Sequence, residues 1–332
     1  MFREYIIKNT DKNARILEFG PLNRPIFKKD EFLNVKYADI KSTDDVKKMY
    51  GGNEYLKKTG IRVDIDSIVN IDYVINKSYK EYFKNTEKFD VVVLSHVIEH
   101  MTDIINFFED VAHIIKPNGK LIIIYPDKRF CFDHYRNSIS FREALYLHEN
   151  AEYKNYLKAD FLSNVVENNN PVTFWEDLKT NISDKKKNTE SFINAFKGSD
   201  EDVHYFPFDA LSFYKFLIDM TQNNFLSFKI DEYFLTEVNT QEFLVILKKQ
   251  DFDKKTIINE YYDNFNELIE KNKILEHNTK YKQQVNNIMI QLKKLREENN
   301  YLKKEINSLE NCVSMKITKP LRTIKNIIKN KS

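Results

Sequence analysis

The sequence predicts an α/β fold with a parallel sheet of about seven strands, a helical insertion and a C-terminal coiled coil. Short apolar runs alternate with helix-permissive polar segments from residue 15 to residue 120, which is typical of βαβ units. An aromatic and charged stretch without a clear period follows, and a heptad repeat lies near the C-terminus. With 332 residues and 42% hydrophobic content, the chain can build a real core and is not a disordered or collagen-like protein.

The apolar segments set the expected domain organisation. One domain should span residues 1–250, with the helical insertion at about 127–205. Residues 251–313 should form a helical linker and coiled coil, and residues 314–332 a basic amphipathic tail. A helix is expected over Asp103–Ile115. The expected strands are Ile16–Phe19, Val35–Asp39, Ile68–Asp72, Phe89–Leu94, Leu121–Tyr125, Phe225–Ile230 and Glu242–Leu247.

Charge and cysteine content narrow the classes of function. The chain has 52 Lys and Arg against 50 Asp and Glu, so its net charge of +2 gives no general attraction to nucleic acid. Its two cysteines lie far apart without metal-clip spacing, which argues against a disulfide framework and fits a reducing cytoplasm. The charged N-terminus has no signal-peptide core, and no apolar stretch reaches about 18 residues, so neither export nor a membrane span is expected.

The end of the first predicted strand carries residues suited to a nucleotide site. Glu18 and Gly20 stand where strand gives way to helix, the crevice in which open α/β sheets bind nucleotides. A glycine there permits close approach of a ligand to backbone N–H groups. Asp39 ends the next strand, where a carboxylate can accept hydrogen bonds from ribose hydroxyls. Asp72, at the end of the third predicted strand, is placed to meet the adenine amino group.

Five motifs occur in order: Ile16–Gly20, Asp39, Phe89–Val92, Ser95–His100 and Lys116–Lys120. Together they resemble the class I S-adenosylmethionine-dependent methyltransferases, which implies a Rossmann-like seven-stranded sheet and S-adenosylmethionine as cofactor. In that family the first-strand acid and glycine hold the methionine part of the cofactor, and the second-strand acid binds the ribose. The implied cofactor contacts are Glu18, Gly20, Pro21, Asp39, Asp72, Ser95 and His96.

One branch of the family resembles this chain more specifically. Pro21–Pro25 replace the family's later glycines, and the Glu-x-Gly-Pro version is similar to methyltransferases found with bacterial cell-surface polysaccharide genes. Tyr125–Phe130 and Asp202–His204 also have counterparts in that branch. The resemblance therefore implies a sugar or glycan acceptor.

Two histidines are candidate proton acceptors. Methyl transfer is an in-line displacement, so the protein must align the acceptor and, for a hydroxyl, remove its proton. Histidine suits this role because its pKa is near neutrality. His96 follows the fourth strand and His204 precedes the sixth. The alternatives are that His96 only touches the cofactor and that His204 is a structural histidine.

A metal ion is a further possibility for the segment His96–His100. It places two histidines and a glutamate on one helical turn, and some methyltransferases of RNA ends and of ubiquinone synthesis bind a divalent ion with a similar Glu-His pair. Glu99 and His100 are the candidate ligands, with His204 as a third. The alternative is that Glu99 and His100 organise the cofactor loop. A zinc peptidase is disfavoured because the string follows a buried parallel strand.

The charged residues after the fifth strand have two interpretations. Lys128, Arg129 and Arg136 lie where the acceptor pocket of this fold is expected. They can bind a substrate phosphate or carboxylate, but a solvated charged loop is the favoured interpretation.

The heptad repeat predicts a parallel homodimer. Asn299 occupies one of the seam's a positions, where a buried amide fixes the register of a two-stranded coil. The alternative is a single long helix packed on its own domain. The seam residues are Val285, Ile288, Leu292, Leu295, Asn299, Leu302, Ile306, Leu309 and Val313.

The tail after the seam suggests a surface contact. Residues 314–331 carry six Lys or Arg and no acid, with apolar residues at helical spacing, so they suit an anionic membrane surface. The string Ser314–Arg322 resembles a C-terminal motif of glycosyltransferases and methyltransferases of surface glycan assembly. A solvated basic tail is the alternative.

Together these features predict an enzyme that O-methylates a sugar or glycan intermediate in cell-surface polysaccharide biosynthesis, at the inner face of the membrane. The alternative is a catalytically inactive scaffold of the same fold that presents its coiled coil to a glycan-assembly complex, including a glycosyltransferase. A nucleic-acid methyltransferase is the weakest alternative because no basic groove is evident.

Overall fold

The structure is a computed structural model that describes residues 2–51, 63–164, 171–176 and 203–310, with residues 318, 320 and 323. It divides into two compact units, Met1–Lys273 and Ile274–Ser332. The first unit contains the sheet. The basic tail predicted over 314–332 lies outside the described residues, apart from those three isolated positions.

The described residues form one seven-stranded sheet in the order β3-β2-β1-β4-β5-β7-β6. Strands β1 to β5 pair in parallel, and β7 is antiparallel to both of its neighbours, so the sheet is mixed and not wholly parallel. The chain reverses its direction of travel across the sheet between β1 and β4, which makes their carboxyl ends the topological switch point. The strands are β1 Arg15–Phe19, β2 Asn34–Asp39, β3 Tyr73–Val74, β4 Phe89–Ser95, β5 Ile115–Pro126, β6 Lys229–Phe234 and β7 Glu242–Lys248.

Three strands differ from the sequence prediction. The third begins after Asp72 because Tyr73 and Val74 pair with Ala38 and Asp39 of β2. The fifth begins earlier, at Ile115, and its register with β4 shifts between Ile115 and Lys120, around Asn118, which has φ +64°. The sixth lies four residues later than expected, since Leu226 and Phe228 are core residues that precede the strand.

Helices cover the sheet and connect its strands. The predicted helix after β4 is confirmed, and Asp103 caps it by accepting a hydrogen bond from Asn106 N. The described helices are α1 Phe2–Lys8, α2 Thr43–Gly51, α3 Tyr79–Tyr82, α4 Ile104–Ile114, α5 Phe141–Glu149, α6 Tyr153–Asn164, α7 Pro171–Glu176, α8 Ala210–Gln222 and α9 Lys254–Glu310, with single 3-10 turns at Ile98–His100 and Lys128–Phe130. Within the expected insertion at 127–205, residues 165–170 and 177–202 lie outside the described residues.

Alternating side chains build a core on each face of the sheet. In β4, Val92 and Leu94 belong to the larger cluster, while Val91 and Val93 belong to the smaller one. Because strand side chains alternate between faces, continuous apolar strands are expected where both faces are covered. The larger cluster includes α4 and α8, and the smaller includes α1 and the segment around Phe27.

The C-terminal helix α9 contributes its first turns to the core. Ile257, Tyr261 and Leu268 are buried there, and the Tyr261 hydroxyl oxygen accepts a hydrogen bond from Ile230 N at 2.7 Å. The first unit therefore extends to Lys273, beyond the boundary expected at 250. The described heptad residues of the second unit are exposed, Leu295 and Leu309 by 60% each. No helix among the described residues has the length and apolar character needed to cross a membrane.

Candidate active site

Glu18 organises the turn after β1. Its side chain is buried, and its two carboxylate oxygens accept hydrogen bonds from Ile26 N at 2.7 Å and Phe27 N at 3.0 Å. Burial raises the pKa of Glu18 to about 7, although both backbone hydrogen bonds oppose the rise. Glu18 therefore holds the turn closed, and its direct contact with the cofactor stays a prediction.

Gly20 is the residue at which the turn needs glycine. Its φ is +59°, and its N–H donates to Ala38 O at 2.9 Å. A Cβ atom at this position would lie 2.8 Å from Cγ2 of Val97. Both the backbone conformation and the close approach exclude a side chain. The next residue, Pro21, is buried, and Leu22 takes φ +48°, so the turn forms without the family's later glycines.

Asp39 lies at the same edge of the sheet as Gly20. It ends β2, one residue beyond the pair Phe19 and Ala38. Its Oδ1 accepts from Lys41 N at 3.0 Å, and burial raises its pKa against that hydrogen bond. The carboxylate is half-buried, which leaves it accessible to a ligand at this edge. Its role in binding ribose stays a prediction.

Asp72 does not occupy the position that the sequence predicted. It precedes β3, and its carboxylate accepts from Tyr37 N at 2.8 Å and pairs with Lys29 at 2.7 Å and Lys36 at 3.4 Å. The assignment to adenine assumed a strand ending at Asp72, and that assumption is wrong.

His96 follows Ser95, the last residue of β4, in a left-handed conformation with φ +54°. Its N–H donates to Ile124 O at 3.1 Å, and its Nε2 lies 2.7 Å from Oε1 of Glu242, the first residue of β7. Burial opposes the charged form of His96, but the hydrogen bond to Glu242 and the nearby Glu99 outweigh it and raise the pKa. About a third of the imidazole is exposed, 33%, so a substrate can reach it.

Glu99 is the centre of what we call the histidine cluster, formed with His96, His100 and His204. Its side chain is fully buried in the 3-10 turn Ile98–His100. Oε1 lies 3.7 Å from His96 Nδ1, 3.9 Å from His100 Nε2 and 3.9 Å from His204 Nε2. Within the described residues, neither carboxylate oxygen accepts a hydrogen bond.

The backbone brings His204 to this cluster from far along the chain. Tyr205 N donates to Glu99 O at 2.7 Å, which ties the segment before α8 to the 3-10 turn. His204 Nδ1 lies 2.5 Å from Oδ2 of Asp133. Burial opposes ionisation of Asp133, but His204 and Arg136 outweigh it and hold its pKa at about 2. His204 therefore has one nitrogen fixed by a carboxylate and the other directed at Glu99.

Two of the basic residues after β5, Arg129 and Arg136, form ion pairs with carboxylates of the same fold. Arg129 forms a two-point ion pair with the buried Asp127, at 3.0 and 2.7 Å. Arg136 is buried and pairs with Asp133 and Asp160, each at 2.8 Å. The prediction of a solvated loop is therefore wrong for Arg136, because its guanidinium group is buried and balances the charge of nearby carboxylates.

Two groups of predicted site residues therefore lie at the carboxyl edge of the sheet. Gly20, Asp39 and Ser95 stand at the carboxyl ends of three adjacent strands, and Val97 connects the Gly20 turn to the histidine cluster. Sequence reasoning missed Glu242 and Asp133. The sequence does show that an acid, Glu242, begins the last apolar strand. Its place near His96 could not be predicted, because it depends on β7 pairing antiparallel with β5.

Comparison with known proteins assigns the chain to a family. A family model described as a methyltransferase domain matches residues 2–170, just over half of the chain. A search of curated proteins found no match.

Solved structures are similar only at low levels. An S-adenosylmethionine-dependent methyltransferase from Methanosarcina mazei is 12% identical with a TM-score of 0.39, over 74% of this chain and 97% of that one. Magnesium protoporphyrin IX methyltransferase from Synechocystis PCC 6803, solved with bound S-adenosylhomocysteine, is 9% identical with a TM-score of 0.34, over 75% and 80%. The assignment depends on the family model alone. This chain belongs to the methyltransferase domain family.

Proposed function

We propose that this enzyme methylates a hydroxyl oxygen of a sugar or glycan intermediate in cell-surface polysaccharide biosynthesis. The observation that carries the proposal is the pair of His96 and Glu242 at the carboxyl edge of the sheet. A sugar hydroxyl is a weak acid, so its methylation needs a proton acceptor. With Nε2 donating to Glu242, the Nδ1 atom of His96 is left to accept a proton.

The transfer is one displacement step. Bound S-adenosylmethionine supplies an activated methyl group on a sulfonium. Its methyl group would pass to the acceptor oxygen in exchange for the carbon–sulfur bond, and His96 would accept the hydroxyl proton. Gly20 and Asp39 would hold the cofactor, and the in-line geometry that they help to set would account for much of the rate.

The sugar half of the proposal has separate support. Phe132 and Phe161 flank His204, with ring centroids 4.7 and 5.8 Å from its ring. Aromatic faces beside convergent polar groups suit a ligand with apolar and polar sides, which a sugar has. The sequence resemblance to the polysaccharide-associated branch favours the same acceptor class.

Turnover with defined acceptors tests the function. S-adenosylhomocysteine formation would be measured with nucleotide sugars and lipid-linked glycans, with amine and carboxylate compounds as comparison acceptors. His96→Gln should lower kcat by about 10²–10⁴ with little change in cofactor affinity. His113→Ala is the matched control, because His113 is exposed and contacts Glu109 O of its own helix. Methylation of amines in preference to hydroxyls would overturn the proposal.

The inactive scaffold remains the alternative because Pro21–Pro25 replace the later glycines of the family. Calorimetric titration with S-adenosylmethionine separates the two. An active enzyme should bind the cofactor, with affinity lowered by Asp39→Ala. Cofactor binding without turnover on any hydroxyl acceptor, together with a stable coil, would favour the scaffold.

We also propose that α9 joins two chains in a parallel coiled coil. Ile288, Leu295, Leu302 and Leu309 are between 49% and 60% exposed in the single chain, so a helical partner would cover an apolar seam. The proposed partner is a second copy of this chain, since Asn299 at an a position specifies two strands. Asn299→Leu should raise thermal stability but broaden the oligomeric states seen by light scattering. A monomer at micromolar concentration would contradict the proposal.

The basic tail is proposed to bind an anionic membrane surface, where glycosyltransferases of glycan assembly are potential partners. A parallel dimer carries two tails at one end, and tethering raises the effective concentration for the second contact to about the millimolar range. Deleting the last 18 residues should abolish sedimentation with anionic vesicles and leave neutral vesicles unaffected. Vesicle binding that survives this deletion would show that the tail is not the membrane contact.

A further inference from the structure

The geometry points to a divalent transition-metal site formed by Glu99, His100 and His204, and we propose that its cation holds the acceptor oxygen beside His96. The second half of this inference rests on the proposed hydroxyl acceptor, whereas the site itself does not.

The Glu99 side chain is fully buried. A fully buried carboxylate that accepts no hydrogen bond is unfavourable, because it has lost its hydration without gaining hydrogen bonds in exchange. Among the described residues, neither oxygen of Glu99 accepts a hydrogen bond, and the nearest histidine nitrogens lie 3.7–3.9 Å from Oε1. A cation bound between Glu99 and its neighbours would supply the missing partner.

The ligand atoms have the spacing of an open metal site. One oxygen of Glu99 and one nitrogen each of His100 and His204 lie within 4.8 Å of one another. Metal bonds of about 2.0–2.2 Å place neighbouring ligand atoms roughly 3.0–3.5 Å apart. The observed separations of 3.9 Å from Glu99 to each histidine require only small inward side-chain shifts.

The surroundings of His204 are those of a metal ligand. Histidine ligands commonly donate their second ring N–H to a carboxylate, which fixes the tautomer and orients the free nitrogen. Asp133 meets His204 Nδ1 at 2.5 Å, so Nε2 is the nitrogen that faces Glu99. Arg136 holds Asp133 in turn and donates to the backbone oxygen of His204 at 2.7 Å.

The donor set selects the class of metal. Two imidazoles and one carboxylate suit Mn²⁺, Fe²⁺, Co²⁺ or Zn²⁺, whereas Mg²⁺ and Ca²⁺ prefer sites made of oxygen ligands. Three protein ligands leave coordination positions open for a substrate oxygen. Such a cation would lower the pKa of the acceptor hydroxyl close to His96, whose Nδ1 is 3.7 Å from Glu99.

Cobalt binding tests the site without reference to activity. Full-length protein treated with a chelator would be titrated with Co²⁺ and followed by visible absorption and calorimetry. We expect one cation per chain, with affinity lowered at least about 10-fold by Glu99→Gln and His204→Ala and about 10–100-fold by Asp133→Asn. His113→Ala, at an exposed histidine, should bind Co²⁺ like the wild type.

The outcomes separate this inference from the proposed function. Wild-type protein without a one-to-one Co²⁺ complex, or a folded Glu99→Gln variant with unchanged affinity, would overturn the site. Thermal unfolding checks that the variants fold. Asp39→Ala should lose S-adenosylmethionine binding and keep the Co²⁺ spectrum. Full sugar methylation in chelator would refute the metal role but leave the proposed function standing, whereas a Co²⁺ complex without sugar methylation would do the reverse.

Discussion

The turn after β1 and the histidine cluster each contain a buried glutamate, and the two glutamates differ in their partners. Glu18 accepts two backbone hydrogen bonds and completes a local structure. Glu99 is equally buried, yet within the described part of the chain its oxygens accept none. A buried carboxyl group that accepts hydrogen bonds recovers part of its desolvation cost, whereas one that accepts none leaves that cost uncompensated. The comparison therefore separates an acid whose hydrogen bonds are made within the fold from one that is proposed to bind a cation.

The same substitution at both positions should have opposite effects on stability. Glu18→Leu leaves two buried N–H groups without acceptors and should cost about 2–5 kcal/mol. Glu99→Leu removes an unsatisfied polar group and should stabilise the metal-free protein by about 1–3 kcal/mol, while abolishing metal binding. Urea unfolding in chelator measures both. Similar losses for the two variants would break the distinction.

Glu18 should also make stability depend on pH. Its pKa in the folded protein, about 7, is raised above the ordinary value of 4.5, so the folded state resists ionisation. The contribution is fully present below about pH 4.5 and is lost as the pH rises through 7. At about 1.4 kcal/mol per pKa unit, the loss approaches ~3 kcal/mol. Glu18→Gln should flatten this part of the stability curve, and an unchanged slope would assign it to other groups.

Gly20→Ala should disturb the turn after β1 and leave the histidine cluster unchanged. A left-handed alanine costs about 1–2 kcal/mol, and the new Cβ would meet Val97 at 2.8 Å. Affinity for S-adenosylmethionine should fall while the Co²⁺ complex persists.

Val97→Ala in the same chain provides the matched test of the Gly20 explanation. It removes the steric contact and leaves the backbone strain, so it should recover part of the stability and of the cofactor affinity. No recovery would mean that the conformation at Gly20, and not the contact, decides the effect.

The fold was predictable wherever an apolar run coincided with a strand. The predicted bounds of β1, β2, β4 and β7 agree with the structure to within one residue at each end. Strand β3 has only two residues and no pattern to detect, and its neighbour Ile68–Asp72 had the more strand-like composition. Strand β6 lies at an edge of the sheet and carries Asp231 and Glu232. The more apolar residues just before it were therefore predicted as the strand instead.

The sequence allowed the types of the candidate site residues to be predicted, but not which of them contact one another. Glu99, His100 and His204 could be named from the sequence, but the buried state of Glu99 depends on packing from several elements. Arg136 shows the same limit, because solvated loops and buried ion pairs use the same side chains. Only the structure shows Asp133 between Arg136 and His204.

The hydrogen bond from Tyr205 N to Glu99 O joins two segments that are far apart along the chain. The candidate site can therefore form only after both segments have been synthesised. His96, Glu99 and His100 emerge from the ribosome about a hundred residues before His204, and Glu242 follows later still. A nascent chain ending at residue 170, where the family match stops, holds His96, Glu99 and His100 but neither His204 nor Glu242. Two separately expressed fragments divided within 177–202 would therefore be inactive alone, and recovery on mixing would report reassembly of the sheet.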